Sequence, residues 1–205
     1  MKAIFHIHTK HSFDSLLSPR RVVDYAAKHD IQCVMITDHD GIMGAVEARD
    51  YAEQRGIPVS VVIGAEMETD AGDIIGIFLT RDITSYKYRN VVADIRSQGG
   101  LVVLPHPFSG HDMSKIERCP DLDFVETFNS RTSRQQDGWA RSFARNHGLK
   151  QIGGSDAHLA RELGNCVLEF EYIKDFPNGP MWGWSRKARR TDVYISQLIK
   201  MWRQR

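Results

Sequence analysis

Five short stretches carry residue types that hold divalent metal ions: Phe5-His6-Ile7-His8, Thr37-Asp38-His39-Asp40, Gly64-Ala65-Glu66, Pro105-His106-Pro107 and Gly154-Ser155-Asp156-Ala157-His158. Each closes an apolar run. Residues one apart in an extended strand project from one face, so His6 and His8 offer two imidazoles side by side, enough to grip an ion. With Asp14 and Asp73, which flank strand-like runs, the candidate ligands are His6, His8, His39, His106 and His158 with Asp14, Glu66, Asp73 and Asp156. No thiolate is among them. Mixed imidazole and carboxylate donors suit divalent Zn, Mn or Fe and are too rich in nitrogen for a dedicated Mg or Ca cage. These candidates exceed what one ion with three or four protein ligands uses, so two or three ions sharing carboxylates are expected.

The elements that must position these residues alternate in type. Strands are expected over residues 2–8, 33–36, 59–63, 73–79, 101–104, 123–129 and 151–154, each an apolar run ending at a polar loop. Helices are expected from Pro19 to about His29, with Ser18 as N-cap, and over 44–55, 88–97 and 135–146. The third and fourth strands are separated by a short turn at Asp70 to Gly72, which reads as a hairpin. Strands alternating with helices, with polar residues gathered at strand C-terminal ends, predict a mostly parallel α/β barrel, closed or nearly so. A doubly wound open sheet would place its site at one switch point and not draw ligands from nearly every strand.

A chain of 205 residues, 41% hydrophobic and 26% charged, accommodates one well-buried domain. No apolar run approaches 18 residues and a strand begins almost at the first residue, so neither a transmembrane helix nor a secretory leader is expected, and the protein is expected to be cytoplasmic. Cys33, Cys119 and Cys166 lack paired spacing, which argues against a disulfide framework. The net charge of +1 conceals a basic tail: residues 185–205 hold seven Lys or Arg against Asp192 alone. The barrel is therefore expected over 1–175, and 176–205 as a turn-rich linker, Phe176 to Pro180, leading through Trp182, Trp184 and the basic run Arg186 to Arg190 into an amphipathic helix. Ile195, Leu198, Ile199 and Trp202 form the apolar stripe of that helix, read as docking it on the barrel with its cationic face in solvent. Contact with an anionic membrane surface or with nucleic acid is the alternative.

Taken in order, the metal-ligand stretches together with Glu126-Thr127-Phe128-Asn129 resemble the PHP family, the polymerase and histidinol phosphatase superfamily of metal-dependent phosphoesterases, over about residues 2–170. The resemblance implies a distorted (β/α)7 barrel with a trinuclear centre at its C-terminal face. It implies a first ion on His6, His8, Glu66 and Asp156, a second sharing Glu66 and adding His106, and a third on Asp14, His39 and His158. Many relatives place a histidine ligand of the second ion where this chain has Asp73. Such a centre favours phosphate ester hydrolysis by a metal-activated hydroxide without a protein nucleophile. His11 and His111 are candidates for protonating the leaving group.

Substrate phosphate needs cations, and Lys10, Arg131 and Arg161 lie in loops after the first, sixth and seventh strands. Arg131 is the leading candidate because guanidinium forks match phosphate oxygens. Asn129 is a candidate for bonding the phosphate or a bound water, Glu126 and Asp38 for orienting ligands. The expected function is hydrolysis of a small phosphorylated molecule, such as a nucleotide or sugar phosphate. A nuclease acting on single-stranded ends and a non-catalytic regulatory barrel are the alternatives, and histidinol phosphate is a further substrate that the resemblance allows.

Overall fold

Alternation along the strands sorts the apolar residues onto two sides of one curved sheet. In the computed structural model, which describes residues 1–116 and 121–204, the strands are β1 (Lys2–Ile7), β2 (Cys33–His39), β3 (Ser60–Met67), β4 (Ile74–Ile77), β5 (Leu101–Leu104), β6 (Phe124–Asn129), β7 (Lys150–Gly154), β8 (Cys166–Glu169) and β9 (Met181–Ser185). The helices are α1 (Pro19–Lys28), α2 (Met43–Arg55), α3 (Tyr88–Ser97), α4 (Met113–Ile116), α5 (Arg134–Asn146) and α6 (Arg190–Arg203), with 3-10 turns over Ala160–Asn165 and Ile173–Asn178. Cys119, Arg205 and the side chain of Trp182 lie outside the described residues. No helix among the described residues is long and apolar enough to cross a membrane.

The strand order is β7-β6-β5-β4-β3-β2-β1-β8-β9. β1, β2 and β3 run parallel, as do β5, β6 and β7, while β4 is antiparallel to both neighbours. The short link between β3 and β4 leaves no room for a crossover helix, so the chain must turn back. The sheet nearly closes at the end where the parallel strands finish. There the segment after β7 bonds β1 through Ser155 N–H to the Phe5 carbonyl (2.9 Å), Ala157 N–H to that of His6 (3.1 Å) and His8 N–H to that of Ala157 (2.9 Å). The opposite end of β1 pairs with β8 instead.

Ala3, Phe5, Met35, Val62, Ile75, Val103, Phe124 and Ile152 fill the barrel interior. Fully buried Phe176 packs with them, its ring 5.4 Å from Phe124 and 5.7 Å from Phe170. Burying such a side chain contributes about 1.5–3 kcal/mol. Ile4, Ile7, Val34 and Ile36 face outward against α1 and α2, among Val22, Val23, Ala45 and Ala48.

This alternation exposes a feature absent from the linear pattern. With Ala3 and Phe5 inward, a regular β1 would turn His6 and His8 toward the helices beside Ile4. Instead the register shifts between Phe5 and Ile7, and His6 adopts a left-handed backbone, φ 65°. The bulge inserts one residue, sends Ile7 outward and returns both imidazoles to the inside.

The tail departs from the simple stripe. The segment between the expected linker and the basic run forms β9, which pairs with β8 at the sheet edge. α6 lies on the barrel through Asp192, Ser196 and Ile199, all buried, whereas Leu198 and Trp202 are 45% and 73% exposed. Two inward positions are polar because they serve arginines: Arg161 pairs with Asp192, and Arg131 donates to Ser196 Oγ at 2.7 Å. Of the expected stripe, Ile199 and half-buried Ile195 lie on the docking side, while one ion pair and one arginine–serine hydrogen bond carry the polar part of the contact.

Candidate metal centre

The bulge in β1, the end of β2, the end of β3 and the turns after β5 and β7 converge at the nearly closed rim. Eight of the nine expected ligands meet there. Donor atoms within 4.8 Å of one another form three overlapping groups among the described residues: His6, His8 and Asp156; His6, Glu66 and His106; and His8, Asp14, His39 and His158. His6, His106 and Asp156 all have positive φ (65°, 26° and 47°) without being glycine. Such backbones cost on the order of 1–3 kcal/mol each and cluster where function requires them.

Three of the five imidazoles, those of His6, His8 and His158, are aimed by a partner behind them. His6 Nδ1 lies 2.7 Å from Glu126 Oε1, whose other oxygen accepts from His106 N–H (2.9 Å) and Asn129 Nδ2 (2.8 Å). Asp38 accepts from Thr9 Oγ1 (2.7 Å) and Ser12 Oγ (2.6 Å), so the serine presents its lone pair to His8 Nδ1 at 3.3 Å. His158 Nδ1 faces the Asp156 carbonyl at 3.0 Å. These partners place hydrogen on each Nδ1 and leave Nε2 turned to the centre. Glycine makes the packing feasible at Gly154, where a Cβ would stand 1.6 Å from Glu126 Oε1, and at Gly44, where one would stand 1.8 Å from Asp38 Oδ2.

The resulting donor spacing is that of ligands around a shared ion. His6 Nε2 and His8 Nε2 are 3.0 Å apart, Glu66 Oε2 is 3.4 and 3.2 Å from them, and Asp156 Oδ1 is 3.7 and 3.5 Å from them. Atoms about 2.1 Å from one ion at tetrahedral or octahedral angles lie roughly 3.0–3.5 Å apart. Glu66 bridges, with Oε1 3.0 Å from His106 Nε2 and Oε2 3.4 Å from His39 Nδ1. Asp14 Oδ2 lies 3.0 Å from His158 Nε2 and 3.3 Å from His39 Nε2, while its buried Oδ1 has no hydrogen-bond donor among the described residues.

Without an ion, protons take over part of the charge balance. Burial disfavours protonation of His39 and His106, yet the Asp14 and Glu66 carboxylates at the first and Glu66 at the second outweigh it and push both up to about 9. His6 is likewise raised, against its burial, by Glu126, Glu66 and Asp156. His8 is pushed down to about 3 by burial and by repulsion from the neighbouring His158 and His39 rings. Asp14, Glu66 and Asp156 sit well below the ordinary carboxylate range, because the surrounding imidazoles outweigh their burial.

Asp73 falls in none of the three donor groups. Burial and the negative Glu66 push its carboxyl up to about 6, and its carbonyl lies 2.8 Å from His111 Nε2. The expected phosphate-binding cations are directed elsewhere. Arg131 forks onto Glu162 (2.9 and 3.0 Å), whose carboxylate caps the His158 and Leu159 amides. Arg161 holds Asp192, and Lys10 reaches Glu47 at 3.1 Å on the exposed rim. Asn129 supports Glu126 and accepts from Arg131 N–H at 2.9 Å. His11 meets Glu47 at 3.0 Å. Ser12 is the site residue that sequence reasoning missed: its signal, a serine four residues after His8, is too common to single out.

Comparison with known proteins agrees with this architecture. The model of the PHP domain matches residues 5–163. An uncharacterized protein of Methanocaldococcus jannaschii is 38% identical over 165 residues, covering 74% of this chain and 94% of the archaeal one. An error-prone DNA polymerase of Mycolicibacterium paratuberculosis is 38% identical over 66 residues, 32% of this chain and 6% of the polymerase. Among solved structures, a two-domain protein from Bacteroides vulgatus, described as containing a predicted PHP-like metal-dependent phosphoesterase, superposes with a TM-score of 0.66 at 20% identity, covering 89% of this chain and 56% of that one. With the family model spanning most of its length, the chain belongs to the PHP domain family.

Proposed function

We propose that this centre holds two or three divalent ions, drawn from Zn, Mn and Fe, and that the protein is a cytoplasmic phosphoesterase acting on a small phosphorylated molecule. One observation carries the reading. His6 Nε2 and His8 Nε2, each left as an acceptor by the partner of its Nδ1, face one another at 3.0 Å with Glu66 and Asp156 alongside. Two acceptors that close require positive charge between them. A proton on His6 supplies one unit, and a divalent ion balances both carboxylates as well.

Bound ions would supply activated water near neutral pH and charge neutralisation at the phosphate oxygens. The chain's own part is positional: Glu126, Ser12 and the Asp156 carbonyl fix the three imidazoles His6, His8 and His158, and Glu66 joins the groups. The ligand roles read for His6, His8, Asp14, His39, Glu66, His106, Asp156 and His158 follow from these groups, with Asp73 as an outer carboxylate. Lys10, on the rim, is the cation best placed to turn toward a phosphate, since its partner Glu47 is a surface carboxylate. A cleft of about 340 Å³ adjoins His158, lined by Leu16, Leu17, Leu159, Ala160 and Ile195 with Arg21 and Arg161. Its size and apolar lining suit the organic part of a small ester.

The likeness to a DNA polymerase segment favours a second reading, a nuclease assisted by the basic tail. The internal use of that tail speaks against it. Arg186 bonds Asn165, Lys187 pairs with Asp137, and Arg203 bonds the backbone of residues 10 and 12. A panel of phosphomonoesters, phosphodiesters and single-stranded oligonucleotides, assayed before and after chelation, separates the two. Chelator-sensitive hydrolysis concentrated on small monoesters is expected. Preferred cleavage of oligonucleotides, falling steeply with salt, would establish the nuclease instead.

A further inference from the structure

Three consecutive residues of the loop after β1 touch one group of the centre, and the far end of the chain grips that loop from outside. Ser12 Oγ faces His8 Nδ1 at 3.3 Å and accepts from His39 N–H at 3.1 Å. Phe13 stacks on His39, centroids 4.5 Å apart and planes within 9°. Asp14 joins His39 and His158. The Arg203 guanidinium, in the last turn of α6, donates to the Lys10 carbonyl at 3.0 Å and the Ser12 carbonyl at 2.7 Å through one nitrogen. One turn earlier, Lys200 Nζ lies 4.8 Å from the centre of the Phe13 ring. Arg161–Asp192 and Arg131–Ser196 fasten the rest of α6 to loops after β7 and β6. The helix thus bridges three loops of the rim.

We infer that Arg203 is a positioning residue of the metal centre: by clamping the Lys10 and Ser12 carbonyls it sets the loop that delivers Ser12, Phe13 and Asp14, and so tunes the ion held by Asp14, His39 and His158 selectively. The inference rests on the metal-binding reading given above. The His6, Glu66 and His106 group takes nothing from this loop and stands apart from the clamp. Neither carbonyl has another backbone or side-chain donor among the described residues, so loss of the guanidinium frees the loop without opening the core. A charge-assisted bond on a partly exposed loop converts to about a five- to tenfold change in affinity.

The test titrates the full-length, metal-stripped protein with Mn2+ or Zn2+ against a chromophoric chelator, and follows amide hydrogen exchange over residues 9–15. Arg203→Met should weaken the class of ion that uses Asp14, His39 and His158 about five- to tenfold, leave the class held by His6, Glu66 and His106 unchanged and speed exchange in the loop. Arg203→Lys should restore part of both. Arg190→Met, which removes the same charge at the other end of α6, should behave as wild type. Unchanged affinities in Arg203→Met, equal weakening of every class, or the same loss in Arg190→Met overturns the inference. A wild-type chain that binds no ion overturns the metal-binding reading itself, and this inference with it.

Discussion

Replacing Glu66 by glutamine is expected to lower kcat/KM for phosphate ester hydrolysis by on the order of 10³-fold, about 4 kcal/mol. The substitution keeps the shape of the side chain and removes its charge. Glu66 ends β3 fully inside the rim, with one oxygen 3.0 Å from His106 and the other within 3.4 Å of His6, His8 and His39. Among the described residues no other carboxylate reaches so many imidazoles, so no neighbour there replaces its charge. Breaking a buried charge network by removing one member costs about 3–5 kcal/mol, which agrees with the predicted loss. An amide also turns N–H groups toward histidines that must keep their lone pairs. Steady-state kinetics together with metal content decide the matter, and a variant within tenfold of wild type would remove Glu66 as the bridge.

The second large effect is a pH dependence of opposite sign in the loaded and metal-free protein. His39 and His106 rise from about 6.5 unfolded to about 9 folded. Their protons therefore stabilise the metal-free fold fully below pH 6.5, and that contribution disappears as pH climbs through 9. The ion on Asp14, His39 and His158 must displace the proton of His39 and the ion on His6, Glu66 and His106 that of His106, so the apparent affinity of each should increase by up to about one power of ten per pH unit below 9 on this account. The gap in Tm between loaded and chelated protein should widen from pH 6.5 to 9. A gap that narrows over this range would contradict the assignment of both histidines as ligands.

Much of this was legible in the chain because strand-end chemistry is local. Parallel strands buried on both faces appear as apolar runs, and a ligand that must face the rim follows directly on the run. The site residues at His39, Glu66, His106 and Asp156 could be found that way. The seven strands and the reversal at β4 were equally visible, the latter from the short turn. What escaped depends on contacts remote in sequence. The left-handed backbone at His6 rescues a pair that regular alternation would have turned outward, and no local signal marks it. Arg131 looked free for phosphate because its partner Glu162 is 31 residues away, and α6 looked like an apolar stripe because the arginines that use Asp192 and Ser196 lie in other loops. β8 and β9 are only four and five residues long and each comes soon after a 3-10 turn, so both are hidden among turn residues.

The most direct measurement of the central claim is elemental analysis of the purified, dialysed protein. Two or three Zn, Mn or Fe ions per chain are expected, with loss of those ions and of ester hydrolysis together on chelation. Less than one such ion per chain, with hydrolysis indifferent to the chelator, would contradict it.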